Sequence, residues 1–167
     1  MYQAKKISGS CFRFYSELDN ARQMEIYELE NDIRRGLNAR EFVAHYQVKV
    51  DMITLKPVGF EALVRWNHPK KGIVPPGEFV DVAENADRIQ EISGQVISHV
   101  AMDVKAYAEI FGTCPPIAIN ISSSQFRDLT FPDYLANTLR AYNLDPGSIE
   151  IEITESMMIE ADDAMAS

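Results

Sequence analysis

The sequence predicts an α/β fold in which helices pack outside a mainly parallel sheet. From the second predicted strand onward, the order is strand, helix, strand, helix, strand and the start of another helix, an alternation typical of parallel sheets. These strands are apolar on both faces or nearly so, as buried parallel strands are. With 167 residues, 46% of them hydrophobic and 25% charged, the chain has the composition of a globular domain with a sizeable core.

The first elements are a helix and two strands. Apolar residues at helical spacing follow the cap pair Asp19 and Asn20 and end at Asn38. Residues 42–51 and 58–66 then alternate as strands. The connection between these two strands is too short for a parallel crossover, so they are either antiparallel or not adjacent.

The remaining elements follow a loop rich in proline and glycine, "NHPKKGIVPPGE". A helical region begins at about Pro76 and stops at Gly112, a residue type that often terminates helices. Next come the strand "IAINIS", a short helix with a capping box of Ser122 and Gln125, a helix over 131–143, the strand "IEIEIT", and a helical stretch after Glu155.

Charge and cysteine content exclude several classes of protein. The net charge of −9 and the lack of a basic stripe argue against a nucleic-acid polymer as partner. Cys11 and Cys114 lie far apart and indicate neither a disulfide framework nor a metal site, so a reducing cytoplasm is expected. No apolar run approaches the roughly 20 residues of a membrane span, which predicts no membrane contact from this chain. A longer parent protein could still carry an anchor.

Polar side chains recur on one face of three successive strands. Alternation places Glu61, Leu63 and Arg65 on one face of the second strand, opposite Phe60, Ala62 and Val64. By the same rule Asn120 shares its face with Ala118 and Ser122, and Glu152 shares its face with Glu150. Two of these strands carry their polar residue near the carboxyl end, where ligands bind in open α/β sheets and barrels.

A cluster of Glu61, Asn120 and Glu152, extended by Glu155, would consist of oxygen ligands alone. Such ligands suit hard divalent cations such as Mg²⁺, Mn²⁺ or Ca²⁺, and a bound cation could activate water for phosphate-ester hydrolysis. Arg65 could fork onto a phosphate.

Each of these features also has a structural interpretation. A glutamate on a strand is commonly on a solvated face, Asn120 could satisfy neighbouring backbone groups, and Arg65 could form an ion pair with Glu61. The three histidines have no ligand spacing: His45, His68 and His99.

A set of ordered motifs resembles a known family. These motifs are "EFVAHYQ", "GFEALVRWNHP", "GIVPPGEFVDVAE", "INISSSQF" and "IEIEITES", and together they resemble the EAL family of cyclic di-GMP phosphodiesterases from about Glu41 to the C-terminus. The opening "MYQAKKISGSCFRFY" is similar to the tail of a GGDEF domain. The resemblance implies three parts: a GGDEF-like tail at 1–18, a linker helix at 19–40 and a truncated EAL domain at 41–167.

The resemblance implies a modified TIM-like (β/α) barrel with an antiparallel first strand, of which this chain is roughly the first half. It also implies hydrolysis of cyclic di-GMP to the linear dinucleotide with Mg²⁺ or Mn²⁺. On matching positions it implies metal ligands at Glu61, Asn120 and Glu152, a second acid at Glu155 that shares the catalytic role of Glu61, and cleft residues at Gln47, Leu63 and Arg65.

Two departures from the family pattern shape the expectation. Val48 stands where the family usually has proline, which a strand tolerates. The later aspartate pair, lysine and glutamate of the family are absent, and Asp162 and Asp163 are not that pair because no Phe-Gly follows. We therefore expect an incomplete metal site, an inactive isolated chain, and self-association through the open half barrel. The alternative is an inactive EAL-like parent that acts as a cyclic di-GMP receptor or protein-interaction scaffold.

Overall fold

The structure, a computed structural model, describes residues 17–153. Its helices are α1 (Glu17–Ala39), α2 (Val80–Asn85), α3 (Ile89–Phe111), α4 (Ser123–Phe126) and α5 (Phe131–Tyr142), and its strands are β1 (Phe42–Val50), β2 (Pro57–His68), β3 (Gly72–Val74), β4 (Ile117–Asn120) and β5 (Ile149–Glu152). Within this part of the chain, no helix is both long enough and apolar enough to cross a bilayer.

The sheet has the order β1-β2-β4-β5, and β3 pairs with β2 off this path. β1 pairs antiparallel with β2, whereas β2 with β4 and β4 with β5 are parallel. The short connection thus joins two adjacent antiparallel strands, and the following strands form the predicted parallel sheet. Val48 lies within β1 opposite Phe60, so the strand accommodates it where the family pattern has proline.

One face of the sheet packs against α3 and α5. Ala62, Ile119 and Ile149 on the strands are buried in one cluster with Val100 of α3 and Leu139 of α5. These are the residues that alternation assigned to the face opposite the polar one. The apolar stripe of α3 therefore fixes which face of each strand is free to carry polar side chains.

A second core cluster attaches α1 to the sheet. Ile33 and Leu37 of α1 are buried with Phe42, Trp66 and Phe79. The Trp66 ring stacks on Phe42 with the ring centroids 5.1 Å apart. The helix expected over 19–40 therefore forms, and its later half packs against β1 and β2.

His68 has a structural position rather than a metal-binding one in the "NHPKKG" loop. Its side chain is buried, and its Nδ1 accepts hydrogen bonds from the backbone N–H groups of Lys70 and Lys71, both at 3.1 Å. Its Nε2 faces Asp32 of α1 at 3.4 Å. These contacts hold the turn that leads from β2 to β3.

The helical region after Pro76 is broken, which the sequence pattern did not predict. A 3₁₀ turn (Pro76–Glu78) and α2 precede α3, and Asp87 between the helices has a φ of 56°. The predicted stop at Gly112 is confirmed, with a φ of 85°, and so is the capping box of Ser122 and Gln125. The predicted helix after Glu155 lies outside the described residues.

Candidate metal and phosphate site

The strand register brings the predicted polar residues onto one face. Gln47 on β1 lies opposite Glu61 on β2, and Glu61 lies beside Ala118 on β4. Two residues beyond Ala118, Asn120 lies beside Glu152 on β5. Because directly paired residues point to the same face, the pairings place the predicted side chains together.

Glu61 and Asn120 are in direct contact across β2 and β4. The amide Nδ2 of Asn120 donates to Oε1 of Glu61 at 2.8 Å. Asn120 is the last residue of β4 and is exposed, while Glu61 is half-buried. The contact shows that Asn120 can reach Glu61, and a half-turn of its amide group would point Oδ1 toward the same carboxylate.

Lys49 on β1 completes the polar face, and sequence reasoning did not single it out. Its Nζ forms an ion pair with Oε1 of Glu152 and lies 4.0 Å from Oε2 of Glu150. The hydrogen bond to Glu152 raises the pKa of Lys49, and the charges of Glu152, Glu150 and Glu61 add to the effect. The available signal was period two on β1, which puts Lys49 on the face of Gln47.

The Lys49 contact also reports the shape of the sheet. It joins β1 to β5, two strands that would lie roughly 14 Å apart in a flat sheet, and β2 and β4 lie between them. Side chains standing straight up from a flat sheet would not meet at that separation. The sheet therefore curls toward the polar face, as the wall of a barrel does.

The three predicted substrate residues lie near this cluster but differ in their contacts. Gln47 is exposed, and Leu63 and Arg65 are half-buried. Arg65 donates from Nη1 to the carbonyl of Val64 at 2.7 Å. No ion pair joins Arg65 to Glu61 among residues 17–153, so the structural interpretation of Arg65 as the partner of Glu61 is wrong.

A cavity of about 330 Å³ opens between the carboxyl end of the sheet and helices α2 and α3. Its walls are mainly apolar, with Leu63, Ile92 and Val96 among them, and its polar lining residues include Asn120 and Ser122. Asn120 therefore borders both the carboxylate cluster and the cavity.

The donor chemistry of the face fits a hard divalent cation. Two carboxylates and one amide lie on adjacent strands, and the ammonium group of Lys49 already rests among the carboxylates. Within 17–153, no group of three or more His, Cys, Asp or Glu side chains is placed to hold a metal. Glu61, Asn120 and Glu152 are the oxygen-bearing residues of this face that were predicted as ligands, and Glu155 lies outside the described residues.

The mixed α/β sheet, with helices packed on one face and oxygen-bearing side chains on the other, is that of a partial (β/α) barrel. Residues 30–167 match the model of the EAL domain family. The chain belongs to this family.

Known proteins agree with this assignment. The chain is 32% identical over 164 residues to the bifunctional diguanylate cyclase/cyclic di-GMP phosphodiesterase MucR of Pseudomonas aeruginosa, covering 98% of this chain and 24% of MucR. It is 32% identical over 167 residues to the cyclic di-GMP phosphodiesterase PdeR of Escherichia coli K12, covering 100% of this chain and 25% of PdeR.

A solved structure of the MucR phosphodiesterase in complex with cyclic di-GMP superposes with a TM-score of 0.77. The two chains are 33% identical, and the match covers 82% of this chain and 56% of that one. The chain thus spans about a quarter of the length of these curated relatives and somewhat over half of the solved domain.

Proposed function

We propose that this chain is part of an EAL-type phosphodiesterase, whose intact parent hydrolyses cyclic di-GMP to the linear dinucleotide with Mg²⁺ or Mn²⁺. The observation that carries the proposal is the meeting of Glu61 and Asn120 at 2.8 Å, with Glu152 on the adjacent strand. The similarity to PdeR and MucR, whose names state this activity, supports the choice of substrate.

The chain's own residues have distinct roles in this proposal. Glu61, Asn120 and Glu152 would hold the cation, and Glu155 would act as a second acid beside them. A bound divalent cation supplies a Lewis acid that makes water a better nucleophile and polarises a phosphoryl oxygen. Gln47, Leu63 and Arg65 would bind the dinucleotide, with Arg65 on a phosphate.

Arg65 is suited to that role because no carboxylate within residues 17–153 forms an ion pair with its guanidinium group. Its hydrogen bond goes from Nη1 to a backbone carbonyl, which leaves further N–H donors of the planar fork for phosphate oxygens. Arg65 lies two residues beyond Leu63 toward the carboxyl end of β2, the end where ligands of such folds bind.

We expect the 167 residues alone to be inactive and to self-associate. The described face offers three protein donors, and the aspartate pair, lysine and glutamate of the later family motifs are absent from these 167 residues. β1 pairs only with β2 within 17–153, and an unpaired strand edge is a template for pairing with another copy. Sedimentation of the chain at high concentration tests this, and a monomer throughout the range would contradict it.

Two further parts of the proposal concern the surrounding protein. We propose that residues 1–18 are the tail of a GGDEF-like domain, that 19–40 link it to the EAL domain at 41–167, and that the chain lies in the cytoplasm. Reading the parent sequence on both sides of this chain tests the domain order.

The activity is tested in the intact parent with Mg²⁺ or Mn²⁺ by following the linear dinucleotide. Glu61→Gln should abolish turnover, whereas Glu109→Gln, at an exposed position on α3, should not change it. Absence of turnover in the unaltered parent would refute the phosphodiesterase function. Binding of cyclic di-GMP without turnover would instead support the receptor alternative.

A further inference from the structure

Lys49 links β1 and β5, the two outer strands of the described sheet. Its ammonium pairs with Glu152 and lies 4.0 Å from Glu150. The side chains of Lys49 and Glu152 are 35% and 37% exposed, so water and ions can reach the pair. No other lysine, arginine or histidine in residues 17–153 forms an ion pair with either glutamate.

The stem of the Lys49 side chain passes over Gly59 on β2. Lys49 lies opposite Gly59 in the β1–β2 register. A Cβ placed on Gly59 would lie 3.9 Å from the Cδ of Lys49, so the stem passes directly over the glycine. The geometry therefore leads the ammonium group across β2 toward the carboxylates of β5.

We propose that the ammonium group of Lys49 competes with the divalent metal for the carboxylate of Glu152. The inference rests on the proposed function, in which Glu152 is a metal ligand. In the metal-free protein the ammonium neutralises Glu152, and a cation that takes this carboxylate displaces it. Lys49 thereby sets how tightly the site holds metal.

Glu150 provides a place for the displaced ammonium group. Its side chain is 55% exposed, and its Oε2 is already within 4.0 Å of the Lys49 Nζ. A rotation of the flexible lysine stem would exchange Glu152 for Glu150 without moving the backbone. Repulsion between the ammonium and a divalent cation favours that exchange.

The test is Mn²⁺ binding by the intact EAL domain, measured by electron paramagnetic resonance of free Mn²⁺. Lys49→Met keeps the apolar stem and removes the charge, Lys49→Arg keeps the charge, and Lys105→Met is a control at an exposed site on α3. Lys49→Met should bind Mn²⁺ about threefold more tightly than the unaltered chain, a factor within the range of an exposed ion pair. The Mn²⁺ affinities of Lys49→Arg and Lys105→Met should stay close to that of the unaltered protein.

The salt dependence provides a second readout that does not depend on activity. The difference in Mn²⁺ affinity between Lys49→Met and the unaltered protein should shrink as the salt concentration is raised, because screening weakens the competing ion pair. Fluorescence of Trp66 checks that each variant is folded.

The outcomes separate this inference from the function on which it rests. Equal or weaker Mn²⁺ binding by Lys49→Met would overturn the competition while leaving the metal site in place. Absence of Mn²⁺ binding by every variant of the intact EAL domain would overturn the metal site, and the role of Lys49 with it.

Discussion

Gly36→Ala tests how tightly α1 is packed on the sheet. A Cβ at this position would lie 2.8 Å from Nε1 of Trp66, 3.1 Å from Oε2 of Glu41 and 3.2 Å from Cε2 of Phe42. Trp66 is 1% exposed and Phe42 is fully buried, so neither ring can swing aside. The new methyl group also intrudes on the hydrogen bond from Trp66 Nε1 to Glu41 Oε2, which is 2.9 Å long.

The expected loss of stability combines three effects. Overpacking a well-packed core costs about 1–3 kcal/mol, and weakening the Trp66–Glu41 hydrogen bond costs about 1 kcal/mol more. Alanine is better than glycine inside a helix by about 1 kcal/mol, which offsets the second effect. We therefore expect Gly36→Ala to lower the free energy of unfolding by about 1–3 kcal/mol.

Urea unfolding followed by tryptophan fluorescence measures this change, because Trp66 is the single tryptophan of the chain and lies at the contact. Gly77→Ala is the matched control, since a Cβ there meets no atom within 4 Å, and it should change stability by less than about 0.5 kcal/mol. A Gly36→Ala chain as stable as the control would refute the close packing of α1 on β1 and β2.

Three other changes test separate parts of the molecule. Hydrogen bonds, the backbone N–H of Thr54 first, lower the pKa of Asp51, so the stabilising effect of this carboxylate should be complete at neutral pH and lost as pH falls through that lowered pKa. Melting curves of Asp51→Ala and the unaltered chain should converge in acid, and a constant gap would contradict this. In the intact parent, Arg65→Lys should raise KM for cyclic di-GMP about tenfold with little change in kcat, because lysine cannot fork onto phosphate; an unchanged KM would contradict a phosphate contact. Gln125→Ala should cost about 1–3 kcal/mol in denaturant unfolding, because it leaves the Ser122 N–H and Ser93 hydroxyl donors without their acceptor; a loss below about 0.5 kcal/mol would contradict this.

Period-two alternation predicted the faces of the strands because each strand residue has only two directions in which to point. Ala62 and Ile119 are buried against the helices, while Glu61 and Asn120 meet on the other face. The pattern could not predict β3, whose three residues are too few to show a period. It also missed the break at Asp87, whose positive φ accompanies a local hydrogen bond from the Arg88 N–H to the Ala83 carbonyl at the end of α2.

The candidate site was predictable in part for the same reason. The contact between Glu61 and Asn120 follows from adjacent parallel strands whose polar residues share a face. The role of Lys49 could not be predicted in this way, because its contact with Glu152 crosses two strands and depends on how far the sheet curls. The sequence left open whether Arg65 binds a phosphate or pairs with Glu61. Its hydrogen bond to the Val64 carbonyl is a backbone contact that side-chain patterns do not reveal.

The central claim is that the polar face of this sheet is a divalent-metal site. Its most direct test is anomalous X-ray diffraction at the manganese edge from crystals of the intact EAL domain grown with Mn²⁺ and cyclic di-GMP. We predict an anomalous peak bound by Glu61, Asn120 and Glu152, with the Lys49 ammonium moved from Glu152 to Glu150. Cyclic di-GMP bound with no peak there, and Lys49 still paired with Glu152, would contradict the claim.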